Sequence, residues 1–322
     1  MGDEQPPGVG PGAASRAPAR GWYFCFSGRP PFTSWVRRAV PFCALLLGCG
    51  GASPAAQPTS PATPASPTAP STELPIPADL REPIARSIAI GQELYTLDKV
   101  AAIGTDVLLA NVQDVQNAGI AGYLPMHEAD DSGESSDAHF VDLFFTSDDP
   151  PRVAYEVKVS RDVPPTFEAF DPPRPVPPGF EVIVEARQVA LEALPAIEQP
   201  LNPVLMPAAV IGEKGLLVYL LAGTKQPNVA VLGKHYRAVV PLGGSKVSSL
   251  QALSNSILEI PTREASGEPV VGLALSHVVT DYPLETHVFA SLVHKLPIMV
   301  ATRRGVWLVN GAKVAYFGEK GP

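Results

Sequence analysis

Cysteine is scarce in this sequence of 322 residues. The three cysteines are Cys25, Cys43 and Cys49, so no thiol follows position 49. This excludes a disulfide-stapled scaffold, a cysteine nucleophile and a zinc site with cysteine ligands from the long remainder of the chain. Long apolar runs are missing as well. The run from Ala39 to Leu47 has about half the length that a membrane-spanning helix needs, so it is not a permanent transmembrane segment.

Positive charge is also in short supply, with 24 lysine and arginine residues against 32 aspartate and glutamate residues. Five arginines and two acidic residues precede Cys49, so the chain from that point onward has 19 basic and 30 acidic side chains and a net charge of −11. Nucleic-acid binding needs a basic surface that neutralises phosphates. The composition therefore predicts no nucleic-acid partner, and it disfavours anionic lipid headgroups as ligands of the acidic part.

A short basic and apolar segment near the start of the chain predicts an export signal. Arg37 and Arg38 precede the apolar run, which ends in Leu46-Leu47-Gly48-Cys49. A basic segment, a short apolar segment and a small residue before the cleavage point are the three parts of a secretory signal. The tetrapeptide resembles the lipobox of bacterial lipoproteins. This resemblance implies that Cys49 receives a diacylglyceryl group on its sulfur and becomes the first residue of the mature chain, anchored in a membrane.

The segment before the two arginines is longer than the basic part of a signal peptide. It holds 36 residues, among them the aromatic patch Trp22, Tyr23, Phe24 and Phe26. We therefore interpret residues 1–48 as the presequence and hypothesise that translation starts near Val36, so that residues 1–35 are not translated. Twin-arginine export is the alternative interpretation of the arginine pair, although Pro41 interrupts the apolar residues that follow it.

Residues 49–80 are predicted to be a disordered tether. Alanine, proline, serine and threonine dominate this segment, and a proline recurs every three or four residues from Pro54 to Pro70. Proline at that density blocks helices and sheet pairing, and the segment has too few large apolar side chains to offset its ordering entropy. Fully extended, the tether spans about 90 Å. It either reaches past the membrane surface or keeps the domain clear of lipid during export.

Residues 81–322 are predicted to form one globular domain, because no second low-complexity linker follows. Apolar residues recur at spacings of three and four from Ile90 to Leu108, which predicts a helix from Pro83 to Asn111. Its small residues, such as Gly91 and Gly104, suit close packing on a sheet. A second, shorter helix is predicted over Val182–Leu194.

Acidic residues at two places near these helices are expected to have structural rather than catalytic roles. Asp98 flanks the apolar stripe of the first helix, and we expect a hydrogen-bonded carboxylate at the edge of the core rather than a catalytic one. A carboxylate cluster follows in the chain, but its spacing departs from that of a calcium-binding loop, so a solvated loop is predicted. Its members are Glu128, Asp130, Asp131, Glu134 and Asp137.

Most of the remaining domain is predicted to be strands. Alternation with a period of two predicts a pair over 140–145 and 153–159, and the Pro-rich stretch 164–178 is expected to be an ordered loop. Gly243-Gly244 and Asn310-Gly311 are typical of two-residue hairpin turns. The further predicted strands are Leu216–Leu221, Val229–Leu232, Tyr236–Val240, Lys246–Leu250, Val270–Ser276, Thr286–Leu292, Ile298–Ala301, Val306–Val309 and Lys313–Phe317.

Short connections favour antiparallel neighbours. The predicted fold class is therefore α+β: an antiparallel, β-rich sheet or partly open barrel, with one long N-terminal helix and one shorter helix packed on it.

One group of polar residues is a candidate metal or catalytic site. Ser276, His277, Asp281, Glu285, His287 and His294 lie close together in the sequence. If the strands over 270–276 and 286–292 pair, His277 and His287 approach each other with Asp281 nearby, which favours a metal or general-base site. No named catalytic or metal motif is present, and polar residues at a strand edge explain the same pattern.

A second candidate is a small ligand-binding pair. His235 and Arg237 are two residues apart on a predicted strand, so they share one face. Together they would bind a carboxylate ligand, although a solvent-facing strand surface explains them as well.

Two classes of function follow. The first is a lipid-anchored binding protein of the cell envelope, with an envelope protein or polymer as partner and no cofactor. The alternative is an anchored metal-dependent or general-base hydrolase centred on His277, Asp281 and His287. Gly50 follows the anchor where an aspartate would, by the same resemblance, favour retention in the inner membrane. The outer membrane is therefore the expected location.

Overall fold

The computed structural model describes residues 24–25, 72–115, 117–129, 135–195, 201–223, 226 and 228–319. Cys49, nearly all of the presequence and most of the tether lie outside the described residues. The α+β class is confirmed, with open, mainly antiparallel sheets and a long N-terminal helix. None of the helices in the described segments has both the length and the apolar character needed to cross a membrane.

The elements follow one another along the chain with short connections. The α-helices are α1 (Arg81–Asn111), α2 (Phe180–Glu192) and α3 (Glu285–His294). The strands are β1 (Phe24–Cys25), β2 (Ile120–Ala129), β3 (Ser135–Thr146), β4 (Arg152–Ser160), β5 (Thr166–Pro175), β6 (Leu201–Pro207), β7 (Leu216–Ala222), β8 (Val229–Gly233), β9 (Tyr236–Val240), β10 (Ser249–Ala252), β11 (Ile257–Pro261), β12 (Leu273–Ser276), β13 (Ile298–Thr302), β14 (Gly305–Asn310) and β15 (Lys313–Tyr316).

The strands are arranged in four sheets. The central sheet has the order β1-β6-β7-β9-β10, an N-terminal meander has the order β2-β3-β4-β5, and a C-terminal sheet has the order β12-β13-β14-β15. The two-stranded pair β11-β8 is separate. Every neighbouring pair is antiparallel except β12 and β13, which run parallel with Leu273 opposite Ile298.

The central sheet is buried on both faces. Successive residues of a strand point to opposite faces. Leu205, Val218 and Leu220 therefore pack against α2 and the meander. On the opposite face, Leu217 and Tyr219 pack against α1. This explains why β7 is a continuous apolar run in which the hydroxyl of Tyr219 is the one polar side-chain group.

Helix α1 organises the rest of the fold. It has 31 residues, which corresponds to a length of about 46 Å. Its start packs on the C-terminal sheet through Ile84, its middle on the central sheet through Leu94, and its end on the meander through Leu108. The predicted apolar stripe is therefore confirmed, and it contacts a different surface along each third of the helix.

Several other predictions are confirmed. The predicted second helix corresponds to α2, and the strand pair over 140–145 and 153–159 corresponds to β3 and β4. The Asn310-Gly311 turn joins β14 to β15, with Asn310 opposite Lys313.

The strand predicted over Thr286–Leu292 is wrong, because these residues lie in helix α3. His287, Val288 and Ser291 are all buried there. Ser291 follows the other two at spacings of four and three residues, which fits a helical period although Thr286 and Val288 are β-branched. The predicted hairpin between 270–276 and 286–292 is therefore absent. Instead, α3 lies in the connection between β12 and β13, which is long enough to return the chain parallel to itself.

Three strands also differ from expectation. The Pro-rich stretch 164–178 holds an edge strand, β5, whose partner is β4. Prolines are tolerated at a sheet edge because no ladder hydrogen bond is lost on the outer side. The predicted two-residue hairpin turn at Gly243-Gly244 is wrong, because eight residues connect the end of β9 at Val240 to the start of β10 at Ser249. Strands β10 and β12, which starts at Leu273, both begin three residues later than predicted.

Candidate functional site

Three of the histidines that the sequence predicts as site residues line one pocket of about 170 Å³. His235 immediately precedes β9, His277 immediately follows β12, and His287 lies in the first turn of α3. The rings of His277 and His287 stand edge to face, with their centroids 4.8 Å apart. The predicted approach of these two rings is therefore observed, but a helix rather than a hairpin brings it about. We call this cavity the histidine pocket.

Backbone donors determine which nitrogen of two rings carries the proton. The N–H of Ala222 donates to His235 Nδ1 at 3.0 Å, and the N–H of Leu284 donates to His287 Nδ1 at 2.9 Å. A backbone N–H cannot accept a hydrogen bond, so each Nδ1 must present its lone pair. In a neutral imidazole the proton then lies on Nε2. Both rings are thereby left as Nε2–H donors.

His277 is held through its Nε2 atom. This atom lies 2.9 Å from the hydroxyl oxygen of Thr280 and 3.2 Å from the backbone nitrogen of the same residue. The hydroxyl of Thr280 in turn donates to the carbonyl oxygen of Tyr282. These contacts orient the ring as one wall of the histidine pocket.

Burial keeps the three rings uncharged at neutral pH. It lowers the pKa of His235 and of His277 to about 4 each. Burial also lowers the pKa of His287, to about 3, and the neighbouring His277 and His235 add to that effect. Desolvation disfavours the charged form of an imidazole, and like charges close together disfavour it further. At pH 7 the histidine pocket therefore presents neutral N–H donors.

The rest of the wall is uncharged. No aspartate, glutamate, lysine or arginine is among the described residues that line the histidine pocket. One part of the wall is polar and consists of Ser254, Asn255, Ser256, Ser276 and Thr286. The other part is apolar and includes Leu232, Leu253, Leu258, Leu275, Val278 and Val279.

A buried charge network lies next to the pocket. Glu285, the first residue of α3, is 2% exposed and accepts hydrogen bonds from Tyr219 Oη at 2.7 Å and from Arg237 at 2.8 Å. Arg237 also donates to Gln251 at 2.7 Å. Burial, and then the carboxylate of Glu285, raise the pKa of the Tyr219 hydroxyl well above its usual range. The network ties the start of α3 to the central sheet.

The remaining predicted site residues are placed elsewhere. Asp281 does not join the histidines, because its half-exposed carboxylate faces Arg303 Nε at 3.3 Å. Arg237 and His235 do not converge on one ligand, because the guanidinium of Arg237 is bound by Glu285. His294 lies at the far end of α3, where burial lowers its pKa.

The acidic residues that flank the first helix and the meander have different surroundings. Asp98 has no hydrogen-bond partner among the described residues, so the expected hydrogen-bonded aspartate is not found, and burial raises its pKa to about 6. Glu128 forms an ion pair with Lys158. The side chains of Asp130, Asp131, Glu134 and Asp137 lie outside the described part of the chain.

A larger groove of about 360 Å³ lies along the meander. Its charged groups are mostly paired with one another, Lys158 with Glu128 and Arg174 with Glu156. These charges already compensate each other, so the histidine pocket offers the more distinctive set of unpaired donors.

The described residues contain no group of three or more histidine, cysteine, aspartate or glutamate side chains arranged to hold a metal ion. The hydrogen bonds of the pocket explain this for the histidines. A metal needs a nitrogen lone pair, and at His235 and His287 the lone pair accepts a backbone hydrogen bond while Nε2 carries the proton.

Sequence reasoning named all three histidines but assigned them to two different sites. His235 lies 42 residues before His277, and no local pattern connects the two positions. It also missed the role of Glu285, whose partners Tyr219 and Arg237 are distant in the chain. The only signal available was that Tyr219 and Arg237 both lie in apolar strands, where a polar side chain requires a partner.

In comparisons with known proteins, no protein family, no curated protein and no solved structure matches this chain.

Proposed function

We propose that this chain is a lipid-anchored protein of the cell envelope whose folded domain binds a ligand or partner outside the cytosol. The observation that carries the proposal is the order Arg37-Arg38, apolar run, Leu46-Leu47-Gly48-Cys49. A lipid on Cys49 would hold the domain at a membrane, and the proline-rich tether would separate it from the lipid surface. The acidic composition after Cys49 supports a protein or polymer partner rather than nucleic acid.

Binding is favoured over hydrolysis by the surroundings of the histidines. General-base catalysis needs a base with a free lone pair and a group that orients it. At His287 the Nδ1 lone pair accepts a backbone hydrogen bond, and the carboxylate of Asp281 is engaged by Arg303 instead. The combination of His277, Asp281 and His287 that a hydrolase would use is therefore not assembled.

Metabolic labelling with an alkyne analogue of palmitate in a bacterial host tests the anchor. The full precursor is expected to incorporate the label and to sediment with membranes. Cys49→Ala is expected to lose both, while the matched control Cys43→Ala, a cysteine within the same apolar run, keeps both. Label that persists in Cys49→Ala, or an intact unlabelled precursor in the cytosol, would contradict the proposal.

The same preparation tests the location. We expect the wild-type protein to fractionate with the outer membrane on a density gradient. Gly50→Asp is expected to shift it toward the inner membrane, with Gly50→Ser as the control that leaves it in place. A wild-type protein found in the inner membrane would overturn the outer-membrane assignment and leave the lipid anchor standing.

The alternative, a metal-dependent hydrolase, is kept because His277 and His287 share one pocket. It requires stoichiometric metal in the purified protein and loss of that metal in His277→Ala. The binding proposal expects neither result, and elemental analysis of the purified chain decides between them.

A further inference from the structure

The histidine pocket has a hydrogen-bonding pattern that restricts what it accepts. His235 and His287 are 3% and 7% exposed, and each offers an Nε2–H group that has no acceptor among the described residues. A buried donor without a partner is unfavourable, so such groups are normally satisfied by water or a ligand. Neither nitrogen is among the fully enclosed unpaired polar atoms of the described residues. Both are therefore accessible from the pocket.

The uncharged wall of the pocket determines which kind of hydrogen-bond acceptor it can bind. A carboxylate or phosphate entering it would leave water and meet no cationic side chain, since the described lining residues are all uncharged. Burying an unpaired anion is far more costly than burying a neutral oxygen that receives hydrogen bonds. Glu285 is the nearest acidic group on α3, and Arg237 already compensates its charge. The neutral carbonyl oxygen is the acceptor that fits.

Two further features support such a ligand. His287 lies in the first turn of α3, where the backbone dipoles favour a partial negative charge such as that of a carbonyl oxygen. On the opposite wall, leucine and valine side chains such as Leu253 and Val278 offer an apolar surface. The pocket volume of about 170 Å³ is below the range of about 300 to 1,000 Å³ that is usual for ligand pockets, which favours a small molecule.

We propose that the histidine pocket binds a small uncharged amide or ester, with its carbonyl oxygen accepting hydrogen bonds from the Nε2–H groups of His235 and His287 and its short aliphatic part against the leucine and valine wall. This inference rests on the proposed binding role of the domain and names the chemical class of its ligand. It does not depend on the lipid at Cys49.

The probe is butyramide, with butyrate as its charged counterpart of the same length. Both are titrated into the full chain in detergent micelles, and the ring ¹⁵N resonances of the histidines are followed by NMR. Butyramide is expected to shift the Nε2 signals of His235 and His287 saturably, with a dissociation constant of about 1 to 10 mM for a ligand this small. Butyrate is expected to bind at least tenfold more weakly.

The pH dependence provides a second readout. The titratable groups around the pocket are His235, His277 and His287, with Tyr282 and the Glu285–Arg237 pair behind them. Since the rings stay neutral well below pH 6, butyramide affinity is expected to be constant between pH 6 and 8. An affinity that rises steeply as the pH falls would indicate a cationic anion site and overturn the proposal.

Two variants isolate the donors. In His235→Asn and His287→Asn the amide oxygen replaces Nδ1 as acceptor for the backbone N–H, so the fold is retained, but the Nε2–H donor is lost. Each is expected to weaken butyramide binding at least fivefold. The control His294→Asn, at the other end of α3, is expected to bind like the wild type.

Equal affinity in all variants, tighter binding of butyrate, or no saturable shift in a folded sample would each overturn the proposal. Repeating the titration on Cys49→Ala separates the two hypotheses, because a failed titration leaves the lipid anchor standing and a failed labelling experiment leaves the pocket standing.

Discussion

Gly91 of α1 lies so close to Val288 of α3 that a Cβ atom at position 91 would come within 2.6 Å of the Val288 Cβ and 2.7 Å of the Glu285 carbonyl oxygen. The absence of a side chain at this one position allows the two helices to touch. Val288 follows His287 directly, so the same contact determines where that ring lies. The small residues of α1 were expected to permit close packing on a sheet; Gly91 does so against a helix instead.

Gly91→Ala is therefore expected to destabilise the protein. Alanine is the better helix former by about 1 kcal/mol, so an isolated helix would gain. Here the added methyl group overpacks the contact with α3, and we expect a net loss of about 1 to 3 kcal/mol in the free energy of unfolding. Chemical denaturation measures it. The control Gly223→Ala, where the nearest atom is 3.5 Å from the new Cβ, is expected to change stability by less than about 0.5 kcal/mol.

Asp98 predicts a loss of stability as the pH rises. Its pKa is raised by burial from 3.8 to about 6. The protonated group therefore contributes stability that is fully present below pH 3.8 and lost as the pH rises through 6.

Asp98→Asn removes this loss. We expect it to stabilise the protein by about 1 to 3 kcal/mol at pH 7 and to have almost no effect at pH 4, as measured by denaturant unfolding at the two pH values. Asp106→Asn, an exposed position of the same helix, is the matched control and should be neutral at both. An Asp98→Asn gain of equal size at both pH values would show that ionisation is not the cause.

The histidine pocket predicts that the protein also loses stability as the pH falls. The pKa values of His235, His277 and His287 are all lowered from 6.5, so their contribution is present above pH 6.5 and is lost as the pH falls toward 4 and below. At pH 5 each buried ring costs about 2 kcal/mol relative to pH 7. Thermal unfolding across this range should show the decline.

In His287→Asn the acid-induced decline is expected to be shallower, because asparagine does not titrate and still accepts the Leu284 N–H. The slope of stability against pH, rather than the stability at pH 7, is the quantity to compare. A variant with the wild-type slope would rule out His287 as a source of the acid sensitivity.

The Glu285 network predicts strong coupling between charges. Arg237→Met leaves a carboxylate that is 2% exposed with Tyr219 as its hydrogen-bond partner, and we expect a loss of about 3 to 5 kcal/mol. The double variant Arg237→Met with Glu285→Met is expected to recover part of that loss because no charge remains buried. Denaturant unfolding of the two single variants and the double variant measures the coupling. Additive losses would contradict a direct interaction.

How far the fold was predictable depends on the range of the interactions involved. The 3.6-residue period of α1, the alternation in β3 and β4 and the Asn310-Gly311 turn are local patterns, and each predicted its element correctly. The segment Thr286–Leu292 was misread because β-branched residues favour strands, while its helical period is visible only once the burial of His287, Val288 and Ser291 is known. In so short a segment, burial against α1 outweighs intrinsic preference.

By itself, the sequence determined the acidic balance, the long helix and the α+β class, because each depends on composition or on spacing within a few residues. The proposed lipid site at Cys49 rests on the sequence in the same way. Only the tertiary structure decided that His235 joins His277 and His287, that Arg237 and Glu285 pair inside the core, and that Asp281 turns away toward Arg303. These contacts link residues far apart in the chain or side chains whose directions depend on packing. Such contacts form only after helices and sheets have buried their apolar faces together, which leaves no periodic trace in the sequence.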